Sequence, residues 1–168
     1  GVEVFIRAAK KIKKEGAISA RFVLAGDVDP TREDSLTKNE LKKWEEQNVI
    51  EWWGYQDDMP SFYEKCDLIC LPSYGKEVVP RTLIEAASAG KPIITTDNTG
   101  CRDAVIDGET GYLVPVKNAK VLSKKIQKLV FDQELREEIG QKGREFAKKT
   151  FSMDIIAQQT EDIYRNNL

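Results

Sequence analysis

The chain of 168 residues contains no histidine. Without an imidazole it cannot by itself supply the base of a Ser-His-Asp or Cys-His hydrolase, and it also lacks the commonest zinc ligand. Any histidine used in a reaction would have to come from another domain or another chain. The sequence therefore excludes these hydrolytic mechanisms for the chain acting alone.

The chain also contains few cysteines and has a small net charge. Cys66, Cys70 and Cys101 have no metal-ligand or redox spacing, and their odd number argues against a disulfide framework. Because Cys66 and Cys70 flank or lie within an apolar run, we expect buried structural thiols in a reducing, cytoplasmic compartment. The net charge of −2 gives no electrostatic reason to expect a nucleic acid partner.

Long apolar runs are absent as well. No stretch approaches the roughly 18 residues that a membrane span requires, and no signal peptide is visible. A length of 168 residues with 40 % hydrophobic content fits one domain with an ordinary core.

What the sequence does contain is a regular alternation of strand and helix patterns. We predict strands at 21–25, 49–53, 68–71, 93–95 and 112–114. The predicted helices are 1–15, 36–46 (with Asp34 and Ser35 as capping candidates), 60–65, 81–89, 102–105, 120–131, 133–148 and 153–165. This alternation is typical of an α/β fold with a doubly wound parallel sheet.

Residues 67–90 are the most informative segment. An apolar run of strand length ends at Pro72, a loop follows, and an Ala-rich helix begins at Pro80 and stops at Gly90. Glu77 therefore lies in a loop above the carboxyl end of a strand, and Glu85 lies in the first turns of the next helix. In open α/β sheets, small ligands bind at this edge.

The start of the same helix is a candidate anion site. The backbone N–H groups of Arg81, Thr82 and Leu83 are expected to be unpaired and to face the crevice, where a helix N-terminus favours phosphate. Two carboxylates that accept hydroxyl protons would flank this site, which is the chemistry that a sugar nucleotide needs. A Glu-x7-Glu spacing alone is weak, because about four such acidic pairs should occur here by chance. The alternative, a buried strand followed by a surface helix with solvated glutamates, stays open on local chemistry.

Together with residues 23–27, 49–55, 91–97, 99–103, 107–115 and 151–153, this segment resembles the retaining GT-B glycosyltransferases of family 4, the group 1 glycosyl transferases. It is most similar to bacterial members that assemble capsule, O-antigen or protein-linked glycans. The resemblance implies a Rossmann-like sheet that forms the C-terminal half of a GT-B enzyme. Residues 1–168 would be the donor-binding domain, and the N-terminal acceptor domain would be absent from this chain.

The resemblance also implies a role for each matching residue. The donor would be a UDP-sugar, and a hexosyl or N-acetylhexosaminyl unit would pass to a glycan or lipid-linked glycan without a metal or other cofactor. Glu77 would be the catalytic residue that binds donor hydroxyls near the anomeric carbon, and Glu85 would bind the ribose hydroxyls. The diphosphate would be held by the N–H groups of Arg81, Thr82 and Leu83. Gly26 and Asp27 would border the donor, Tyr55 would lie at the base pocket, and residues 99–103 would line the opposite wall.

Two departures from the family pattern affect these expectations. Val78 stands where the family usually has glycine, so either Gly75 supplies the close approach to the sugar or donor binding is altered. Gly1 matches the point just after the family's first C-domain strand, and the Arg and Lys that follow that strand are missing. We therefore expect a piece of a longer enzyme that is inactive alone.

Two other functions stay open for the same residues. One is a non-catalytic nucleotide-sugar-binding or regulatory module, because fold does not determine function; a weaker one is a sugar-nucleotide epimerase. A metal role for Asp27 and Asp29 is disfavoured, and Val28 and Pro30 stand where a dinucleotide fingerprint needs glycine.

Association of the full-length enzyme with the inner face of the plasma membrane is left open. A basic surface for it would come from the lysines at 10, 11, 13, 14, 124, 125 and 128. Solvated helix faces are the favoured interpretation, since acids are interspersed in the C-terminal helices.

Overall fold

The computed structural model describes residues 1–16, 18–31, 35–75 and 78–166. Within these ranges strands alternate with helices along the chain, as the sequence predicts. The strands are β1 (Val23–Ala25), β2 (Glu51–Gly54), β3 (Ile69–Leu71), β4 (Ile93–Thr96) and β5 (Gly111–Val114). The α-helices are α1 (Val2–Glu15), α2 (Lys38–Glu46), α3 (Met59–Glu64), α4 (Arg81–Ser88), α5 (Ala119–Phe131), α6 (Gln133–Phe151) and α7 (Met153–Asn166), and a 3-10 turn spans Arg102–Ala104.

Every strand pair is parallel, which confirms the predicted sheet type. β1 pairs with β2, and β3, β4 and β5 pair in that order, so the described strands form two separate pieces of sheet. The four residues of β4, which has a neighbour on each side, are all buried, whereas those of β1 are only half-buried. Gly111 sits so close to β4 that a Cβ would lie 2.5 Å from the Ile93 carbonyl oxygen, so a larger residue would push the strands apart.

Helices cover the strands with two apolar clusters. The first contains the apolar faces of α1 and α5 with Ile94, Tyr112 and Val114 from the sheet. The second contains α3, α4 and the 3-10 turn, packed on Ile69 and Ile93. Residue 93 and residue 94 thus point to opposite clusters, as alternating strand residues must. β4 is thus buried on both faces, as central strands of parallel sheets are.

The cysteines differ from the sequence expectation. All three are free, and Cys101 is fully buried, but Cys66 and Cys70 are only half-buried. The thiol of Cys70 is nevertheless enclosed, and this burial raises its pKa to about 12.

The start of α2 was predicted wrongly. The helix begins at Lys38, not at residue 36, and its cap is Thr37 rather than Ser35; Asp34 lies outside the described residues. The Thr37 hydroxyl accepts from the Glu40 N–H at 3.3 Å, and the Glu40 carboxylate accepts from the Thr37 N–H at 2.8 Å. This reciprocal capping box satisfies two backbone donors, which a single serine cap does not.

The other boundaries agree within three residues. No helix in the described ranges combines the length and apolarity needed to cross a membrane.

Candidate functional site

A groove of about 1790 Å³ runs between the two pieces of sheet. Its walls include residues 19–27 on the β1 side and residues 67–75 on the β3 side. At the carboxyl ends of the strands it opens beside the start of α4. Of the residues predicted to bind a ligand, four line this groove: Gly26, Asp27, Tyr55 and Thr82.

The first turn of α4 carries open backbone donors. Pro80 is the N-cap and provides no side-chain cap. Among the described residues, no hydrogen bond engages the N–H groups of Arg81 and Thr82. The N–H of Leu83, however, donates to the Pro80 carbonyl at 3.0 Å, so the expectation that it is unpaired was wrong. A tightened first turn satisfies this third donor within the helix.

Glu85 is held by two neighbours, one helical turn into α4. The Arg81 guanidinium donates to its Oε1 at 3.0 Å, and the Tyr63 hydroxyl donates to its Oε2 at 3.1 Å. The Glu85 side chain is 36 % exposed and that of Arg81 is 89 % exposed. An ion pair this open contributes only about 0.3–0.5 kcal/mol, so its main effect is on orientation.

Tyr63 is the site residue that sequence reasoning missed. Its side chain is almost fully buried between α3 and α4, and its ring lines the groove. Burial, reinforced by the negative charge of Glu85, raises the pKa of Tyr63, so the phenol stays protonated and donates. The contact with Glu85 joins positions 22 residues apart. No local pattern in the six residues of α3 indicates it.

The loop after β3 is fixed at its start. The Asn98 side chain donates to the Gly75 carbonyl at 2.6 Å, and the Thr96 hydroxyl donates to the Ser73 carbonyl. Glu77, the predicted catalytic residue, lies outside the described residues. Val78, where the family pattern has glycine, is 88 % exposed.

Lys117 places a cation beside the same loop. Its Nζ lies 4.8 Å from the centroid of the Tyr74 ring. Because Tyr74 lines the groove, this ammonium group contributes positive charge to the rim.

The rim opposite α4 is formed by the residues after β1 and β2. Gly26 has φ of 121°, donates to the Gly54 carbonyl at 2.7 Å and accepts from the Trp52 indole N–H at 2.8 Å. Residues with a side chain rarely adopt this φ, so a substitution at Gly26 would strain the backbone. Tyr55 is 73 % exposed, which leaves its ring available for stacking.

Residues 99–103 are not among those that line the groove. Cys101 is fully buried in the second apolar cluster, and Arg102 pairs with Asp97 at 2.6 Å. Thr99, Arg102 and Asp103 are exposed, so the 3-10 turn buries only part of this segment, and its expected place on the wall opposite a donor stays a prediction.

The carboxylates considered as metal ligands have local partners. Asp27 accepts from the Val28 N–H at 2.8 Å and lies 3.7 Å from the Lys38 ammonium, while Asp29 accepts from both donors of Thr31. In the part of the chain that the structure describes, no three potential metal ligands come together. Among the described residues, the dipole of α4, the open N–H groups of its first turn and Lys117 are sources of positive charge on which an anion could draw.

The comparisons with known proteins identify the family. A family model described as "Glycosyl transferases group 1" matches residues 1–146. A capsular polysaccharide biosynthesis glycosyltransferase of Staphylococcus aureus is 30 % identical over 168 residues, which are 100 % of this chain and 43 % of that protein. The chain thus spans less than half the length of this relative.

Solved structures show the same fold. The Anabaena protein HepE, crystallised with UDP, superposes with a TM-score of 0.85 at 21 % identity, over 99 % of this chain and 45 % of that one. The C-terminal domain of a group 1 glycosyl transferase from Francisella tularensis gives a TM-score of 0.75 at 27 % identity, over 91 % of this chain and 80 % of that one. The fold is that of GT-B C-terminal domains, as predicted.

Proposed function

The chain belongs to the group 1 glycosyl transferases, and from this premise we propose that it is the donor-binding domain of a retaining glycosyltransferase. Its donor is a UDP-sugar, and the whole protein transfers the sugar to a glycan or lipid-linked glycan on the cytoplasmic side of the membrane. An N-terminal domain outside this chain binds the acceptor.

The observation that carries the proposal is the arrangement at the start of α4. Two open N–H groups, those of Arg81 and Thr82, lie one turn from a carboxylate that two side chains hold in place. Phosphate oxygens accept from N–H groups at a helix N-terminus, and vicinal hydroxyls donate to a carboxylate. A nucleoside diphosphate offers both chemical groups a short distance apart.

The relatives support the choice of donor and acceptor. HepE was crystallised with UDP, and the S. aureus relative is a capsular polysaccharide enzyme. By this proposal the ribose donates its hydroxyl protons to Glu85, and the uracil stacks near Tyr55. Glu77 binds the hydroxyls of the donor sugar.

A diphosphate bound at the start of α4 would also be stabilised there as the leaving group of the transfer. As the bond between sugar and diphosphate breaks, negative charge grows on the phosphate oxygens. The N–H groups of Arg81 and Thr82 and the dipole of α4 stabilise this charge, with about 0.3–1 kcal/mol from the dipole at an exposed site. Because this energy is modest, other cations must contribute to tight binding, and Lys117 beside Tyr74 is one source of positive charge.

Calorimetric titration with UDP and with UDP-glucose tests the division of roles. Glu85→Gln should weaken UDP binding by about fivefold to thirtyfold, because one charge-assisted contact to the ribose is worth about 1–2 kcal/mol. Glu77→Gln should leave UDP affinity unchanged and remove only the extra affinity that the glucose provides.

Glu138→Gln is the matched control. Glu138 also pairs with a cation four residues away on a helix, Lys142, but it does not line the groove. It should change neither titration. Equal loss of UDP affinity in the Glu77 and Glu85 variants would refute the assigned roles. Interconversion of UDP-sugars by the whole protein without acceptor would indicate an epimerase instead.

A further inference from the structure

Side chains continue the contact between β3 and β4 beyond the end of β3. The strand is followed by Pro72, which has no backbone N–H with which to extend a ladder. Beyond it, the Thr96 hydroxyl donates to the Ser73 carbonyl. Two residues later in both segments, the Asn98 side-chain amide donates to the Gly75 carbonyl at 2.6 Å. Side-chain donors thus replace the backbone ladder along residues 72–75.

The two donors are themselves held in place. Thr96 belongs to β4 and is fully buried. The N–H of Asn98 donates to the Thr96 carbonyl at 2.8 Å, and its C=O accepts from the Arg102 N–H at 2.9 Å. Asn98 therefore lies in a fixed turn between β4 and the 3-10 turn, which holds its side chain against the Gly75 carbonyl.

The acceptors line the groove, whereas the donors lie behind it. Ser73 and Gly75 belong to the groove wall on the β3 side, and neither Thr96 nor Asn98, both of them described, is among the lining residues. A ligand in the groove therefore meets the wall formed by residues 73–75. The two donors act on such a ligand through the position of this wall.

This wall leads to the part of the site proposed for the sugar. Glu77, which by the proposed function binds the sugar hydroxyls, follows Gly75 by two residues, a reach of about 7 Å of chain. A shift of the wall moves the point from which the chain leads to that carboxylate. The proposed nucleotide contacts lie instead on the first turns of α4, which begins after Pro80.

We propose that Thr96 and Asn98 are positioning residues for the donor sugar. They fix the groove wall at residues 73–75 and thereby raise the affinity for the sugar part of the donor, while the affinity for the nucleotide part does not depend on them. The inference rests on the proposed function, because it takes this groove to be the donor site. The resemblance assigns neither residue a role.

Calorimetric titration of Asn98→Asp with UDP and with UDP-glucose tests the proposal. An ionised Asp has almost the size of Asn, but it cannot donate, so its carboxylate repels the Gly75 carbonyl. We expect UDP-glucose binding to weaken by about threefold to tenfold and UDP binding by less than about twofold. Because both ligands carry the diphosphate, their comparison cancels the effect of the added negative charge.

Asn98→Ala separates positioning from direct contact with the sugar. At this half-buried position water can reach the Gly75 carbonyl, so the alanine variant should weaken UDP-glucose binding less than Asn98→Asp does. If Asn98 bound a sugar hydroxyl itself, a carboxylate would accept that hydroxyl more strongly than an amide does. Asn98→Asp would then bind UDP-glucose more tightly than Asn98→Ala, and this order would overturn the proposal.

Thr96→Val and Thr95→Val form a matched pair. Both threonines are fully buried in β4, and Thr95 donates its hydroxyl to the Leu71 carbonyl at 2.7 Å. Leu71 is also paired with β4 through the backbone, so Thr95→Val should lower stability in urea without changing either titration. Thr96→Val should lower stability similarly and also weaken UDP-glucose binding. Equal UDP-glucose affinities in the two variants would overturn the proposal.

NMR relaxation tests the anchored wall without a ligand. The order parameter of the Gly75 amide should be about 0.85 in the original chain and should fall below about 0.6 in Asn98→Asp. Thr95→Val should leave it unchanged. An order parameter that is the same in Asn98→Asp as in the original chain would overturn the proposal.

Glu77→Gln distinguishes a failure of this inference from a failure of the proposed function. Weaker UDP-glucose binding in Glu77→Gln but not in Asn98→Asp would overturn the positioning role and leave the proposed function standing. The reverse result would refute the role of Glu77 and support the positioning role. If the original chain binds neither UDP nor UDP-glucose, the proposed function fails, and the positioning role for a donor fails with it.

Discussion

Replacing Tyr63 by phenylalanine tests whether Glu85 is oriented for a ligand. The change keeps the ring, which is almost fully buried, and removes the hydroxyl that donates to Glu85 at 3.1 Å and approaches the Thr82 carbonyl at 3.4 Å. A hydrogen bond to a charged group contributes about 1.5–3 kcal/mol, and a neutral one about 0.5–1.5. Since Glu85 is 36 % exposed and water can replace the phenol, we expect about 1 kcal/mol of lost stability.

The effect on UDP binding should be comparable. A Glu85 carboxylate that Tyr63 no longer holds must be ordered when the ribose binds, which we expect to weaken UDP binding by about threefold to tenfold. Urea unfolding measures the first quantity and calorimetric titration the second.

Tyr112→Phe is the matched control for this variant. Tyr112 is also a buried tyrosine, and its ring lies 4.0 Å from Lys125 Nζ and 5.1 Å from Lys128 Nζ, measured to the ring centroid. A hydrogen bond with its hydroxyl raises the pKa of Lys128. Losing this hydroxyl should lower stability without changing UDP affinity. Unchanged UDP affinity in Tyr63→Phe, or equal weakening in both variants, would refute the orienting role.

Three further predictions concern stability and metal. The Arg21 guanidinium holds the pKa of Glu51 at about 2, below the value of about 4.3 in the unfolded chain. The ion pair therefore stabilises the fold above pH 4.3, and this stabilisation is lost as the pH falls towards 2. Because the pair is exposed, Glu51→Gln should lower the free energy of unfolding by at most about 1 kcal/mol near pH 7. In urea titrations this difference should shrink as the pH falls below 4, and a difference that does not change with pH would contradict the prediction. Gly140→Ala should cost about 1–3 kcal/mol, because its Cβ would lie 2.1 Å from the Gly90 carbonyl oxygen; the exposed neighbour Gln141→Ala, compared by thermal unfolding, should be nearly neutral. Chelation of divalent metal should leave sugar transfer by the whole protein intact. A strict requirement for metal, together with loss of activity in Asp29→Ala, would contradict the proposal that the N-terminus of α4 binds the diphosphate.

Local chemistry explains which parts of the fold were predictable. α4 begins after Pro80, and Gly90 adopts φ of 72°, the left-handed conformation that ends a helix, so both ends could be located from the sequence. The start of α2 was misplaced because Ser35 and Thr37 are both capable caps. Glu40 favours Thr37 as the cap, because its carboxylate lies at the third helical position and completes a capping box with Thr37.

Long-range features were not predictable in the same way. The contact between Tyr63 and Glu85 depends on how α3 packs against α4, and the side-chain contacts to residues 73–75 depend on the pairing of β3 with β4. Neither leaves a periodic pattern in the sequence. The roles of Gly26, Asp27, Tyr55, Glu77 and Glu85 remain predictions, because they concern a ligand.

An NMR titration of the chain with UDP tests the central claim most directly. We predict that millimolar UDP shifts the amide resonances of Arg81, Thr82 and Gly26 in a saturable manner, and that Glu85→Gln raises the concentration needed while Glu138→Gln does not. Resonance shifts confined to other surfaces, or none at these three amides at saturating UDP, would contradict the assignment of this site to the nucleotide-sugar donor.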